Sequence, residues 1–459
     1  MFQDTGSALF GVDGLQVVDV QSGPDGALEV WAFTDWPGAA ACPDCGALSD
    51  RPHETVLARP QDARRAGDPV DLRWVKRRWK CPAEGCERKT FTESLPQVPP
   101  RCRVTARLRD QAAREVADRG ITPAEAARHA GLSWPTVHDA FAGRADQVLD
   151  PAPGAVARLG IDEHRRGRPR WRIDEETGEY VQLADRWHTC FYDLSGEQGM
   201  LGQVEGRTAG DTAYWLAGAT PAWRDAVQVV AIDMCTIYSS AVRRMLPRAV
   251  IAVDLFHVVQ LAVKMVGDVR RRAVRGKYGR RGKSGDPEYG VKGLLVRNLE
   301  NLTPDQFAKV IETLDADADG QEIALAWIAK EKLRDALNLR ARVTGSAPCE
   351  RRVRGRLFAF YDWCAQNEAI PELLTLARTI SRWEDEIVNA VLTGVTNATS
   401  ESLNRLAKLE ARLAYGFRNP ANQRRRVRTA CTRGARRDQS RTATRTRTRS
   451  VTNRQPSPG

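Results

Sequence analysis

Two short apolar runs constrain this chain's architecture more than any other stretch: VVAID, ending at Asp233, and VIAVD, ending at Asp254. A run of Val, Ile and Ala that closes on a carboxylate is a buried strand delivering an acid to the edge of a sheet. Between the two lies YSSAVRRMLP, which has helical character. An earlier run, VARLGID, ends the same way at Asp162. Downstream of it, HTCFYDL and GMLGQVEG read as a hairpin around SGEQ, and TAYWLAG as a helix. This stretch is therefore α/β, with acids at several strand ends.

Hard cations such as magnesium take oxygen ligands, and carboxylates at neighbouring strand ends can hold two ions a few ångströms apart. Such a pair cleaves phosphodiesters without a covalent enzyme intermediate. It needs a third acid, and capping or turn roles account for most strand-end aspartates, so the residues alone leave both readings open.

The ten cysteines are distributed unevenly. Cys42 and Cys45 form CPDC, Cys81 and Cys86 form CPAEGC, and the other six stand singly. Two close pairs supply the four thiolates of a tetrahedral structural zinc site, with a strand-rich segment between them as in a zinc ribbon. His53 is a possible substitute ligand or a plain surface histidine. The linking stretch WVKRRWK sets four cationic residues beside Trp74 and Trp79, which suits phosphate contact or a solvated strand face equally.

After a proline-rich break at LPQVPPRC, residues 103–142 read as helices, the first ending at Gly120. In AEAARHAGLSWPTVHDAF, Ala127, Gly131 and Val137 fall where a helix-turn-helix needs a small residue, a turn glycine and a core aliphatic. Ser133 caps the second helix, with Pro135 in its first turn. Trp134, Thr136, His138 and Asp139 then lie near the exposed start of a recognition helix. Helical hairpins that never meet DNA carry the same pattern.

The net charge of +12 in a 459-residue chain favours a polyanionic partner, nucleic acid before membrane. No apolar stretch reaches the roughly 18 residues needed to cross a bilayer, and MFQDTGSALFGVDG lacks a signal-peptide pattern. The expectation is a cytoplasmic, nucleoid-associated protein with free thiols and metal ligands rather than disulfides. Residues 258–395 are helical and highly charged, with a glycine-basic loop at GKYGRRGKSGD. From Gln423 the chain is arginine-rich and of low complexity, which predicts disorder.

Several of these pieces together carry a resemblance. GIDEH at 160–164, AIDM…Y at 231–238, P-x-A…VDLFHV at 247–258 and TNATSESLNRLAKLEARLAYGFRN at 396–419 follow the cysteine module in order. With it they resemble the ISL3 family of bacterial insertion-sequence transposases, from about residue 40 to 420. The resemblance implies an RNase H-like domain with a catalytic Asp-Asp-Glu triad. By position its members are Asp162, Asp233 and Glu401, holding two magnesium ions. Asp254 and His257 match a signature that lies beside the site rather than among its metal ligands, and His257 reads equally as a satisfied, partly buried histidine. Glu401, Asn404, Arg405 and Lys408 share one helix face, so the acid would ligate metal while the others hold phosphate or DNA strand. A solvated amphipathic helix has the same look.

The expected fold is multidomain α/β: a zinc ribbon and a helix-turn-helix, then an RNase H-like domain interrupted by a helical insertion. The boundaries are 1–98 (ribbon about 40–95), 103–150 for the helix-turn-helix, 155–258 for the first catalytic part, 259–395 for the insertion, 396–422 for the last catalytic helix and 423–459 for a disordered tail. The expected activity is transposition: binding of the element's terminal inverted repeats, magnesium-dependent strand cleavage, and transfer to target DNA by a homodimer or larger assembly. The rivals are a non-catalytic DNA-binding regulator derived from a transposase, and a structure-selective nuclease on the same fold.

Overall fold

The computed structural model describes residues 5–452 apart from positions 24, 25, 66, 150, 151, 166, 185 and 197. The chain divides into two compact units, Met1–Asp150 and Pro151–Gly459.

In the first unit, α1 (Thr5–Phe10) precedes β1 (Leu15–Ser22), β2 (Leu28–Thr34), β3 (Pro52–Ala58), β4 (Val70–Lys80) and β5 (Thr90–Thr92). These strands form one sheet in the order β1-β2-β4-β3, with β5 added to β4. Alternation along β4 turns Leu72 and Trp74 inward onto Val30 and Ala32 of β2. Trp74 is fully buried and donates its indole N–H to Thr34 Oγ1 at 2.9 Å. Trp79 is also buried, packs with Cys42 and Phe91, and donates to Glu93 Oε1 at 3.1 Å. Phosphate contact by these two aromatics is thus excluded: both are core residues with satisfied N–H groups. The cations of WVKRRWK, with Val75, are left at least partly exposed, and Arg78 is paired with Glu54 at 2.8 Å.

Three helices follow: α2 (Ala106–Arg114), continued as a wider turn to Arg119, then α3 (Pro123–Ala130) and α4 (Trp134–Val148). Each starts on a hydroxyl cap (Thr105, Thr122 and Ser133), which satisfies one of the free N–H groups of the first turn. Gly131 sits at φ +65°, a left-handed conformation natural to glycine, and turns the chain between α3 and α4. Ala126, Ala127, Val137, Phe141 and Ala145 close the small core with Ala112 and Val116.

The second unit begins with β6 (Arg158–Arg165), then β7 (Arg170–Ile173), β8 (Tyr180–Ala184), β9 (Trp187–Asp193) and β10 (Met200–Glu205). After α5 (Ala209–Ala217) and α6 (Pro221–Ala226) come β11 (Val229–Ile232), α7 (Thr236–Met245) and β12 (Val250–Val253). The main sheet has the order β10-β9-β6-β11-β12, with β7 and β8 apart as a two-stranded ribbon. β6, β11 and β12 run parallel; β9 is antiparallel to both β6 and β10. The β9–β10 hairpin and the helix–strand alternation match the periodicities, whereas the ribbon had no counterpart in the sequence reading.

From Asp254 the chain enters α8 (Leu255–Tyr278), then α9 (Pro287–Gly290), α10 (Lys292–Val296), α11 (Pro304–Leu314), α12 (Ala318–Leu337), α13 (Ala341–Thr344), α14 (Glu350–Gln366), α15 (Pro371–Arg382) and α16 (Glu384–Thr393). The core of these helices is continuous with that of the sheet, from Ile232 and Val253 through Val258 and Val266 to Leu333 and Leu373. α8 crosses the drawn boundary at 258/259 without a break, and Asn389 of α16 donates to the Ile251 carbonyl of β12 at 3.1 Å. No helix among the described residues is long and apolar enough to cross a membrane.

α17 (Ala398–Leu413) and α18 (Pro420–Thr452) complete the unit. The disorder expected from Gln423 onward is overturned through Thr452, where the backbone is helical; residues 453–459 lie outside the described residues. Composition concealed a buried stripe. Val427 and Cys431 pack with Cys190, Tyr192, Met200 and Leu403, and Arg426 pairs with Glu410 where both are almost fully buried.

Candidate catalytic centre and metal clusters

The three parallel strands end close together, and the acids follow from that. Asp162 lies on β6, while Asp233 and Asp254 come immediately after β11 and β12. Ala231 pairs in register with Gly160 on one side and Ala252 on the other, which brings the ends of the strands to one edge. Gly160 has a specific reason to be glycine: a Cβ there would collide with Ser400 Oγ of α17. The bare backbone lets α17 lie directly on β6.

That helix spans both acids. Asn397, its N-cap, donates to Asp233 Oδ1 at 3.2 Å. Asn404 donates to Asp162 Oδ2 and, at 3.4 Å, to the Glu163 carbonyl. Positions 397, 401, 404 and 408 recur at helical spacing, so Glu401 sits on the face that contacts both acids. The Glu401 side chain is half exposed and bonded to Arg405 Nη2 at 2.7 Å. Arg405 is largely in solvent, and the positive charge of Lys408 reaches Asp162.

Burial pushes the Asp162 carboxyl up to about 6, and the negative charge of Asp233 adds to this against the Glu163 N–H, Asn404 and Lys408. Asp233 is likewise raised, chiefly by burial, with His257 and Asn397 opposing. Both carboxylates are raised chiefly by burial; the charge of Asp233 raises Asp162 further, and the charges of Asp254 and Glu163 raise Asp233.

Asp233, Asp254 and His257 place one ligand atom each within 4.8 Å of one another. His257 Nδ1 stands 3.7 Å from Asp233 Oδ1. Asp254 caps α8 by accepting from the Phe256 N–H at 2.9 Å. The signature residues are thus brought to the second acid itself, and their donors suit a single cation.

Sequence reading passed over several residues here. Glu163 accepts from the Tyr238 hydroxyl, lies 4.0 Å from Arg207 and adds negative charge to Asp233. Asn404, expected to hold phosphate, is buried. Its carbonyl accepts from the Tyr192 hydroxyl and lies 3.2 Å from His164 Nδ1. Burial holds His164 down to about 4, so the ring is neutral at physiological pH.

In the first unit, Cys42, Cys45, Cys81 and Cys86 converge with all four sulfurs within 4.8 Å. Cys42 and Cys86 are 3.9 Å apart, Cys45 and Cys81 3.6 Å. Burial would push the Cys42 thiol up, but backbone N–H groups of Cys45 and Asp44 outweigh it and bring the group down to about 7. His53 is an exposed residue on β3 and is not in the cluster.

On α4, Trp134 is exposed and stacks on His138, with centroids 4.7 Å apart. His138 is thereby largely covered and lies 3.8 Å from Asp139, while Thr136 is half exposed and its hydroxyl bonds Ser133 Oγ at 2.8 Å.

Comparison with known proteins places each of these parts. Residues 159–427 match a transposase family, ISL3. Residues 93–145 match the helix-turn-helix domain of transposase family ISL3, and residues 38–86 the zinc-finger of transposase IS204/IS1001/IS1096/IS1165. The chain is 25% identical over 385 residues to the transposase for insertion sequence element IS1001 of Bordetella parapertussis, covering 82% of this chain and 85% of the relative. It is 29% identical over 293 residues to the transposase for insertion sequence element IS1557 of Mycobacterium tuberculosis, 58% of each chain.

Proposed function

The chain belongs to the ISL3 family of insertion-sequence transposases, and from that premise we propose that it cleaves and joins DNA at the ends of its own element with Asp162, Asp233 and Glu401. The observation that carries this reading is α17: one helix bonds Asp162 through Asn404 and Asp233 through Asn397, with Glu401 between them on the same face. A helix so placed carries a third carboxylate on the face that meets the two others. The strand order β10-β9-β6-β11-β12, with β9 antiparallel, supports an RNase H-like sheet, and the helices from α8 to α16 take the place of the insertion.

Hard oxygen donors at strand ends fit magnesium, and Asp162, Asp233 and Glu401 would hold it. Bound there, magnesium supplies positive charge for the attacking and leaving oxygens of a phosphodiester. The protein's own contribution is orientation. Asn404 and Asn397 fix two carboxylates, and Arg405 and Lys408 offer cations to the DNA backbone on the outer turns of α17. Water attacks phosphorus at the element end and the P–O bond to the 3′ oxygen breaks; the freed 3′-hydroxyl then attacks a target phosphodiester, displacing its own 3′ oxygen.

The four-cysteine cluster fits a structural zinc, and Trp134, Thr136 and His138 on α4 would read the terminal inverted repeats. Two ends must be held together, which calls for at least two copies on double-stranded DNA.

The test is magnesium-dependent cleavage of DNA carrying the flanking ends, wild type against Glu401→Ala, with binding measured in parallel. Binding by both and cutting by the wild type alone supports the assignment. Cutting that survives the substitution removes Glu401 from the triad; binding without any cutting favours a DNA-binding regulator. Loss of end preference against unrelated DNA at raised salt favours a structure-selective nuclease.

A further inference from the structure

Helices α8 and α12 pack side by side, and two ion pairs fix their register. Arg272 meets Glu322 at 2.8 Å, and Lys277 meets Asp317 at the N-cap of α12. Five residues forward on α8 are five residues back on α12, so the two helices run antiparallel. Followed the other way, eighteen residues back from Arg272 is Asp254, and eighteen forward from Glu322 is Arg340. The chain thus returns, just past the end of α12, to the acid that opens α8. The electrostatics agree: burial and the like charge of Arg342 disfavour the charged Arg340 guanidinium, and the Asp254 carboxylate favours it.

Arg340 is held in place but left without a partner. Leu339 beside it belongs to the buried core, and the Arg340 carbonyl accepts from the Val343 and Thr344 N–H groups at 2.9 and 3.0 Å. Its Nε is buried with no hydrogen-bond partner, and among the described residues no carboxylate pairs with its guanidinium. Arg334, six residues earlier, is bonded to both Glu300 and Glu331. Leaving a buried N–H unpaired is costly, and a guanidinium fork matches the oxygens of a phosphate.

Asp162, Asp233 and Asp254 belong to β6, β11 and β12, which are neighbours in that order. The row of acids therefore spans two strand spacings, roughly 10 Å. Lys408 stands at the Asp162 end and Arg340 at the Asp254 end. Cations at both ends of such a row suit a backbone of successive phosphates better than one small anion.

We propose that Arg340 binds a phosphate of the DNA strand lying across the acids, next to the phosphate that is cut, and so positions that strand from the β12 side. The inference rests on the reading that these acids act on DNA, and adds to it a contact from the helices that follow the sheet. The guanidinium donates hydrogen bonds to phosphate oxygens; no covalent bond changes there.

The test is binding by the full chain, in magnesium, of duplexes carrying the flanking ends, each with one neutral methylphosphonate near the end. Arg340→Gln keeps much of the stem and drops the charge, and Arg340→Lys keeps the charge; both are checked by thermal melt. Arg340→Gln binds unmodified DNA about tenfold more weakly, and its salt dependence falls by about one phosphate contact. One methylphosphonate, within about two positions of the cleaved bond, weakens the wild type by a similar factor and leaves Arg340→Gln unaffected. Arg340→Lys restores the salt dependence. A glutamine variant with the wild-type salt dependence, or with the same methylphosphonate profile as the wild type, overturns the proposal. So does a lysine variant that behaves like the glutamine one while both melt lower, which would make Arg340 a structural partner of Asp254. Cleavage is followed on the same unmodified DNA: a wild type that binds the ends without cutting counts against the catalytic reading, while the methylphosphonate profile still decides whether Arg340 meets a phosphate.

Discussion

Asn404 donates its amide to Asp162 and accepts the Tyr192 hydroxyl on its carbonyl, tying the acid on β6 to the helix that carries Glu401. Both ends of the amide are used where water cannot replace either partner. Asn404→Ala strands the buried Tyr192 hydroxyl and frees the Asp162 carboxylate. Stability falls by about 1–3 kcal/mol, and magnesium-dependent end cleavage by about 10–100-fold, as for other groups that orient a metal ligand. Binding of end DNA stays within about twofold of wild type, because Asn404 is buried away from solvent. A thermal melt, a cleavage time course and a binding titration on the same preparation check all three; unchanged cleavage would show that Asp162 needs no such support.

The acids were legible in the sequence and their supports were not, for a physical reason. A strand that must be buried is written in consecutive Val, Ile and Ala, so VVAID and VIAVD announce both strand and carboxylate. Asn397 and Asn404 act only because Gly160 lets α17 settle on β6, a tertiary fact with no local period. Trp74 and Trp79 were misjudged for the related reason that alternation locates two faces without telling which one is covered. The charged tail misled through composition: arginines diluted a stripe of Val427, Ala430 and Cys431 that is almost wholly buried. The helix-turn-helix was readable almost residue by residue, since Gly131, Ser133 and Val137 answer to local backbone and capping rules.

The raised Asp162 carboxyl gives the metal-free protein a pH signature. Its folded value, about 6, lies above the ordinary 3.8, so the native state holds the proton more tightly than the unfolded chain. Stability from this group is therefore fully present below about 4 and is lost as pH rises to about 6, by roughly 1–3 kcal/mol. His164 works in the opposite direction: held down to about 4, it contributes above 6.5 and loses that contribution as pH falls. Comparing wild type with Asp162→Asn separates the two, because only the loss on rising pH disappears in the variant. Added magnesium raises the melting temperature more at pH 8 than at pH 5, since it binds the ionised carboxylate. Superimposable stability profiles for the two proteins would contradict the shift.

Convergence of Cys42, Cys45, Cys81 and Cys86 predicts one tightly held zinc per chain. Chelation then exposes four additional reactive thiols and lowers the melting temperature of the first unit, because the strand ends around Trp79 and Phe91 pack on those cysteines. The Asp162 and Asp233 acids lie in the other unit, whose melt is expected to stay put. Elemental analysis with a thiol titration, before and after chelation, reads this directly; a chain free of zinc with four titratable thiols would argue for a bare cysteine cluster.

Truncation after Asn422 sets composition against packing. If the arginine-rich segment were only an appendage, the shortened chain would melt like the full one. Its first turns instead complete the second unit. Gln423 accepts from Gln203 at 2.5 Å, Val427 and Cys431 fill the layer beneath Cys190 and Tyr192, and Arg426 neutralises the buried Glu410. Removing them uncovers apolar surface and leaves one buried carboxylate without its cation, each costing about 3 kcal/mol or more. The second unit is therefore expected to lose its cooperative transition or to unfold at a much lower temperature. Within the full chain, Val427→Asp reproduces most of that loss, whereas Arg424→Ala, on an exposed position of the same helix, changes stability by less than about 0.5 kcal/mol. Differential scanning calorimetry of the three variants distinguishes a structural helix from a dispensable tail.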